Sequence, residues 1–179
     1  GADHPERASA LQNRGLIVER QGRFDDARAL YSQALGINEA ALGPGHFETL
    51  KTSDSLAGVL ARLGDLDSAR ARFEETLTQK RRRLGLGHPS TATTLQNLGA
   101  VLGRQGDLDG AERCFTEALN VWSLALGSTH PHVAVVRGNL GRLLAMRQRW
   151  KASIGHLTGA VEILSVALGE DHSDTARMM

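Results

Sequence analysis

Only one cysteine, Cys114, occurs in the 179-residue chain, so no intrachain disulfide framework can hold the fold. Its surroundings, AERCFTEAL, have the apolar spacing of an amphipathic helix and not that of a C-x-x-C motif, and an inert, partly buried thiol is expected. No run of eighteen apolar residues occurs, which excludes a membrane-spanning helix. The opening GADHPERAS lacks both the basic and the apolar region of a secretory signal. Neither sign of charge dominates: 21 basic against 20 acidic residues leave a net charge of +1, too weak a field to recruit nucleic acid or an anionic membrane in bulk. These absences point to a cytoplasmic protein with no membrane partner. At 41% hydrophobic, the chain is far from the composition of disordered segments and should bury a core.

What is present is periodic. His4, His46, His88, His130 and His172 are each 42 residues apart and divide the chain into repeats 4–45, 46–87, 88–129 and 130–171, with a partial fifth at 172–179. In the third repeat Leu95, Leu98, Gly99 and Leu102 fall at i, i+3, i+4 and i+7, and Ala111, Phe115, Ala118 and Leu119 form a second such run after Gly106. Each repeat therefore reads as two amphipathic helices. The first helices are expected near 6–21, 48–63, 90–105 and 132–147, and the second near 25–42, 67–84, 109–126 and 151–168. Gly22, Gly64 and Gly106 punctuate the midpoints, Asp25, Asp67 and Asp109 stand where a second helix needs an N-cap, and Gly43, Gly85, Gly127 and Gly169 stand where it needs a left-handed stop. Gly15, Ala57, Gly99 and Gly141 share one position on the first helix, small enough for the paired helix to approach closely. Leu56, Leu60, Leu98, Leu102, Leu140, Leu144, Phe73, Phe115 and Leu157 are the expected core.

The order Leu98, Gly99, Ala111, Phe115, Ala118, Leu119, echoed by Leu56, Ala57, Ala69 and Phe73, resembles the tetratricopeptide repeat. The 42-residue length, the LG-x-x-HP junctions (Leu84, Gly85, His88, Pro89 and Leu126, Gly127, His130, Pro131) and the TTLQNLG run from Thr93 to Gly99 resemble its kinesin-light-chain type. The resemblance implies an all-α fold, a tetratricopeptide-repeat superhelix (α-solenoid) of four helix-turn-helix units plus the start of a fifth, forming a single domain over 1–179. The chain lacks an initiator Met and stops in mid-pattern at HSDTARMM, as expected of a piece of a larger protein. An uncapped last repeat would leave an apolar end through which copies could associate. Departures from the pattern are Arg14, Ser53 and Arg137 at core positions, and Gln148 and Trp150 in the fourth repeat.

No catalytic constellation, cofactor motif or metal site emerges, and the chain is not expected to be an enzyme. The junction histidines lie one repeat apart, roughly 10 Å or more, whereas ligands of one zinc lie about 2 Å from it. His130 and His132 could touch one metal but lack further ligands nearby. The chemistry is expected on the first helices, opposite the core. Counting each junction histidine as zero, core positions 7, 10, 11 and 14 centre on one side at 100° per residue, and positions 5, 9, 12 and 16 on the other. Position 9 reads Asn13, Ser55, Asn97 and Asn139, and position 16 reads Arg20, Arg62, Arg104 and Met146; Lys51 and Arg142 add charge at positions 5 and 12. Asparagine offers a donor and an acceptor to a peptide backbone, and arginine a fork for carboxylates. The resemblance implies that this stripe lines a concave groove whose Asn and Arg hold a protein or peptide ligand, here extended and acidic. The alternative is a regulatory arm of a multidomain signalling protein, with a nucleotide-binding or protease-like domain outside this sequence. Nucleic-acid binding through these arginines and the Lys80, Arg81, Arg82, Arg83 run is disfavoured, because the run closes a helix, where cations complement the dipole and point outward, and aromatics for base stacking are few. Trp122 and Trp150 are expected to fill the seams between repeats.

Overall fold

In a computed structural model, residues 5–168 are described. They form eight helices and, among the described residues, no strand: α1 (Pro5–Arg20), α2 (Phe24–Leu42), α3 (Phe47–Leu63), α4 (Leu66–Leu84), α5 (Pro89–Gln105), α6 (Leu108–Leu126), α7 (Pro131–Met146) and α8 (Trp150–Leu168). Every expected helix is found to within one residue. The described chain groups into two compact units, one up to Gly85 and one from Leu86, each holding two helix pairs.

The repeating histidine is a helix cap. His46, His88 and His130 stand at the N-caps of α3, α5 and α7, and each Nδ1 accepts the backbone N–H two residues on, at 3.2, 3.1 and 3.2 Å. That satisfies one of the orphan donors of the first turn and places the ring proton on Nε2. His4 and His172 lie outside the described residues. Gly64 and Gly106 end α3 and α5 with φ near +90° and ψ near zero, the left-handed stop that glycine adopts without a Cβ penalty. The second helices are capped two residues earlier than expected: Asp65 and Asp107 accept from the N–H groups of Ser68 and Gly110, while Asp67 and Asp109 sit in the first turn. In the first repeat Arg23 takes the cap position without a side-chain cap and Asp25 lies in the first turn. Gly43, Gly85 and Gly127 do have positive φ, but ψ of 154–165° extends the chain instead of closing a left-handed stop. Gly169 lies outside the described residues.

Within each pair, the small residue on the first helix admits the large one on the second. A Cβ on Gly15 would lie 2.6 Å from the Tyr31 ring, one on Gly99 2.8 Å from Phe115, and one on Gly141 2.7 Å from Leu157. Ala57 and Phe73 are correspondingly buried. Leu56, Leu98, Leu102, Leu140, Leu144, Phe73 and Phe115 are buried as expected. Leu60 is only half-buried, because it floors an open trough of about 410 Å³ whose walls include Ser32 of α2 and Ser68 and Arg72 of α4. Leu157 is also half-buried: one side meets α7, and among the described residues no helix covers the other side of α8. A second buried stripe, which the helical wheel does not anticipate, runs along Thr49, Thr52 and Val59 of α3 and Val133, Val136 and Leu143 of α7. It packs against the preceding second helix, α2 or α6.

Of the polar residues at core positions, Arg14 is exposed and Ser53 has a local partner. Ser53 shares a 2.8 Å hydrogen bond with Thr76. Asn38, buried in α2, donates to Thr52 Oγ1 at 3.0 Å, Gln12 donates to the same oxygen, and Thr52 donates to the Glu48 carbonyl, so one network ties α1, α2 and α3. Arg137 lies across Gly159, where any Cβ would collide with its guanidinium. Lys80 does not point outward: it is 2% exposed and ion-paired with Asp54, so only Arg82 and Arg83 of that run are exposed. Trp122 is buried in the seam between α6 and α7, stacked on His132 at 4.8 Å. Trp150 is instead 60% exposed. Its counterpart Phe24 packs on a core that includes Leu56 and Val59 of α3, whereas no described helix follows α8.

Two outcomes test this packing. Leu98→Ala should cost about 2–5 kcal/mol in chemical denaturation, as a cavity in a site that cannot collapse. His88→Ala should cost about 1 kcal/mol by loss of the α5 cap, and His88→Asp should restore most of it.

Candidate functional site

The expected site residues divide between the two units. In the first, Asn13 and Arg20 of α1 and Lys51 and Arg62 of α3 are all exposed. In the second, Arg104 of α5 and Arg142 of α7 are exposed, while Asn97 and Asn139 are half-buried. In α3 and α7 one stripe faces the partner helix and a second faces α2 or α6, which leaves position 16 for solvent.

Partners distinguish these side chains. Lys51 makes a loose, exposed ion pair with Glu48 at 3.6 Å. Arg142 donates to Asn139 Oδ1, so that amide oxygen is engaged before any ligand arrives. Arg62 lies over the ring of Phe24, its guanidinium carbon 5.4 Å from the centroid, within cation–π range. Phe24 itself is half-buried against Val18, Tyr31 and Leu56, so the ring under Arg62 is anchored in the core of the first unit. Among the described residues no carboxylate pairs with Arg20 or Arg62. By contrast, Arg23, Arg28 and Arg70 of the same unit reach Asp26, Asp25 and Glu74. Phe24 could have been suspected from sequence only by knowing that position 16 of one repeat meets position 20 of the repeat before it.

Two open hollows lie elsewhere. In the second unit a hollow of about 510 Å³ is lined by Asp109, Glu112, Arg113, Thr116, Asn120 and Arg147. There Arg147 and Arg149 close on Glu112 at 2.7 and 2.6 Å. The turn that carries them holds Gln148 at φ +59°, the positive-φ place that glycine takes in the other repeats. None of the asparagine and arginine ladder residues lines this hollow or the Leu60 trough. Among the described residues, no cluster of three or more His, Cys, Asp or Glu could hold a metal ion, and no helix is long and apolar enough to cross a membrane.

Known proteins share this architecture. Tetratricopeptide repeat models match residues 7–48, 48–119 and 90–164, nearly the whole described chain. The chain belongs to the tetratricopeptide repeat family. No curated protein sequence matches it. Solved structures of the same fold include BtubC (BKLC) from P. vanneervenii, with 21% identity and a TM-score of 0.82 over 93% of this chain and 66% of that one. A kinesin-light-chain-type protein of Podosopora anserina with nearly identical TPR-like repeats gives 19% and 0.82 over 98% of this chain and 83% of that one. The apo form of RapI gives 15% and 0.83 over 97% of this chain and 60% of that one. The chain thus spans just under two thirds of BtubC and less of RapI. At these identities the likeness is one of fold, the tetratricopeptide arrangement of consecutive helix pairs.

Two histidines of this tetratricopeptide protein's second unit favour their neutral form. Burial and then the neighbouring His130 hold His132 below the ordinary imidazole value. Burial, then Arg137, depress His156, against an opposing pull from Glu112. Each favours the neutral ring in the fold, so their contribution is complete above about pH 6.5 and is lost as pH falls through the lowered folded values. The thermal midpoint should fall between about pH 7.5 and about pH 5.0, and a His132→Phe, His156→Gln double variant should lose much of that dependence by calorimetry.

Proposed function

We propose that this chain holds an extended, acidic stretch of a partner protein on the open face of its first helices. The reading is supported chiefly by Arg62, a cation without a carboxylate partner among the described residues, fixed over an anchored aromatic ring and in register with Arg20. Asn13 on the same face of α1 offers a donor and an acceptor to a peptide main chain, and Lys51 on α3 adds a loosely paired charge. In the second unit Arg104 and Arg142 supply cations and Asn97 and Asn139 amides, Asn139 through its NH₂ once its oxygen is taken by Arg142. Backbone contacts from the amides give affinity without sequence preference, and the arginines select carboxylates. The basic run at the end of α4 adds little to a nucleic-acid reading, since Lys80 is buried with Asp54.

The test is a titration by fluorescence anisotropy with a labelled decapeptide of alternating Glu and Gly. Arg20→Glu with Arg62→Glu should abolish binding with little change in thermal midpoint, since both side chains are exposed, and raising the salt should weaken the wild-type complex by screening. Equal affinity of wild type and the double variant would remove this face as the binding surface.

A further inference from the structure

The position after the mid-repeat turn is occupied in turn by Phe24, Leu66, Leu108 and Trp150. Among the described residues Phe24 alone of these has a cation over its ring, and that cation is Arg62 from the next repeat. The contact crosses from the start of α2 to the last turn of α3. An arginine in that place can lie along the C-terminal carbonyls of its helix, extend into water, or rest on the ring. Phe24 is packed against the core and also carries the Arg62 guanidinium over its ring, while Arg62 as a whole stays exposed. A flexible arginine loses side-chain entropy when it grips a carboxylate, about 0.5–1.5 kcal/mol for an immobilised long side chain. One already resting on an aromatic face has lost part of that freedom beforehand.

We infer that Phe24 is a positioning residue for ligand carboxylates: it pre-orders Arg62 for the acidic partner and so sets where along the first unit the carboxylate is read. This inference rests on the function proposed above. It also sets the first repeat apart, because repeats two and three carry leucine at the same place, which offers no ring quadrupole, and position 16 of the fourth repeat is Met146.

The repeats themselves supply the variants. Phe24→Leu and Phe24→Trp each install a residue that another repeat already carries at this position, so both should fold. With the labelled Glu-Gly decapeptide, Phe24→Leu should weaken binding by about threefold to fivefold, the size expected of an exposed cation–π contact, whereas Phe24→Trp should bind at least as tightly as wild type. Arg62→Ala should weaken binding further, and adding Phe24→Leu to it should cost nothing more, because Phe24 acts through Arg62. The parallel decapeptide of Gln and Gly should show no difference between wild type and the Phe24→Leu variant. If Arg62→Ala weakens binding but Phe24→Leu does not, or if Phe24→Leu weakens it equally in the Arg62→Ala background, the positioning role is wrong while the binding face stands. If Phe24→Leu lowers the thermal midpoint by several degrees, the Phe24→Trp arm decides: loss of affinity there as well would reduce the residue to packing. If wild type and Arg62→Ala bind alike, both this role and the binding face fall.

Discussion

The closeness of the two helices in each pair is the constraint on which the rest depends. Gly15, Ala57, Gly99 and Gly141 leave room for Tyr31, Phe73, Phe115 and Leu157 to lie directly on the first helix. A larger residue would push the helices apart and strip the aromatic ring of its neighbours, since a gap too small for water forfeits dispersion contacts outright. Once that contact is made, each first helix has its rotation fixed about its own axis. The faces turned toward the preceding pair and toward solvent then follow from the helical period. Glycine in a helix costs about 1 kcal/mol relative to alanine, and the ring burial at these sites offsets it.

The caps keep that geometry in register. A histidine accepting a backbone N–H through Nδ1 starts the first helix at the same place in three described repeats, and positive-φ glycines reverse the chain at fixed points. Identical repeats carry a hazard, since one can slide into the place of another. Repeats one and two carry polar residues matched to particular neighbours: Asn38 and Gln12 both donate to Thr52, Ser53 pairs with Thr76, and Lys80 with Asp54. A buried polar group left without its partner costs the full desolvation of that group, so wrong pairings are penalised more than right ones are rewarded.

The same arrangement explains why the candidate binding face is open surface. Both buried stripes of α3 and of α7 are occupied by packing within their own unit, and what remains is a narrow strip carrying amides and cations. Its charges are not equivalent. Lys51 and Arg142 already have internal contacts, Arg20 has no carboxylate among the described residues, and Arg62 is held by an aromatic ring from the preceding repeat. On the function proposed above, such a surface would select partners by charge placement, with a strength set by how much of each side chain's freedom is removed before the partner arrives.

The eight helices, their boundaries, the pairing glycines, most of the core and the solvent-facing strip are legible in the residues alone, because all of these obey a local period that repeats every 42 residues. Whatever depends on a neighbour distant along the chain needed the packed molecule. The second buried stripe is hidden in the sequence because threonines at positions 49 and 52 read as polar until α2 is seen to cover them. Lys80 reads as an outward helix-end cation until Asp54 of α3 meets it, and Trp150 reads as a seam residue until no described helix is found to cover it. Asp25, Asp67 and Asp109 read as caps because aspartate occurs there in three repeats, but a cap sits just outside the helix, and the folded backbone puts that place at 65 and 107. Arg62 and Phe24 are 38 residues apart, and nothing local to either signals the other. Their contact exists because close packing within each pair sets the rotation of α3, and that rotation brings its last turn over the start of α2.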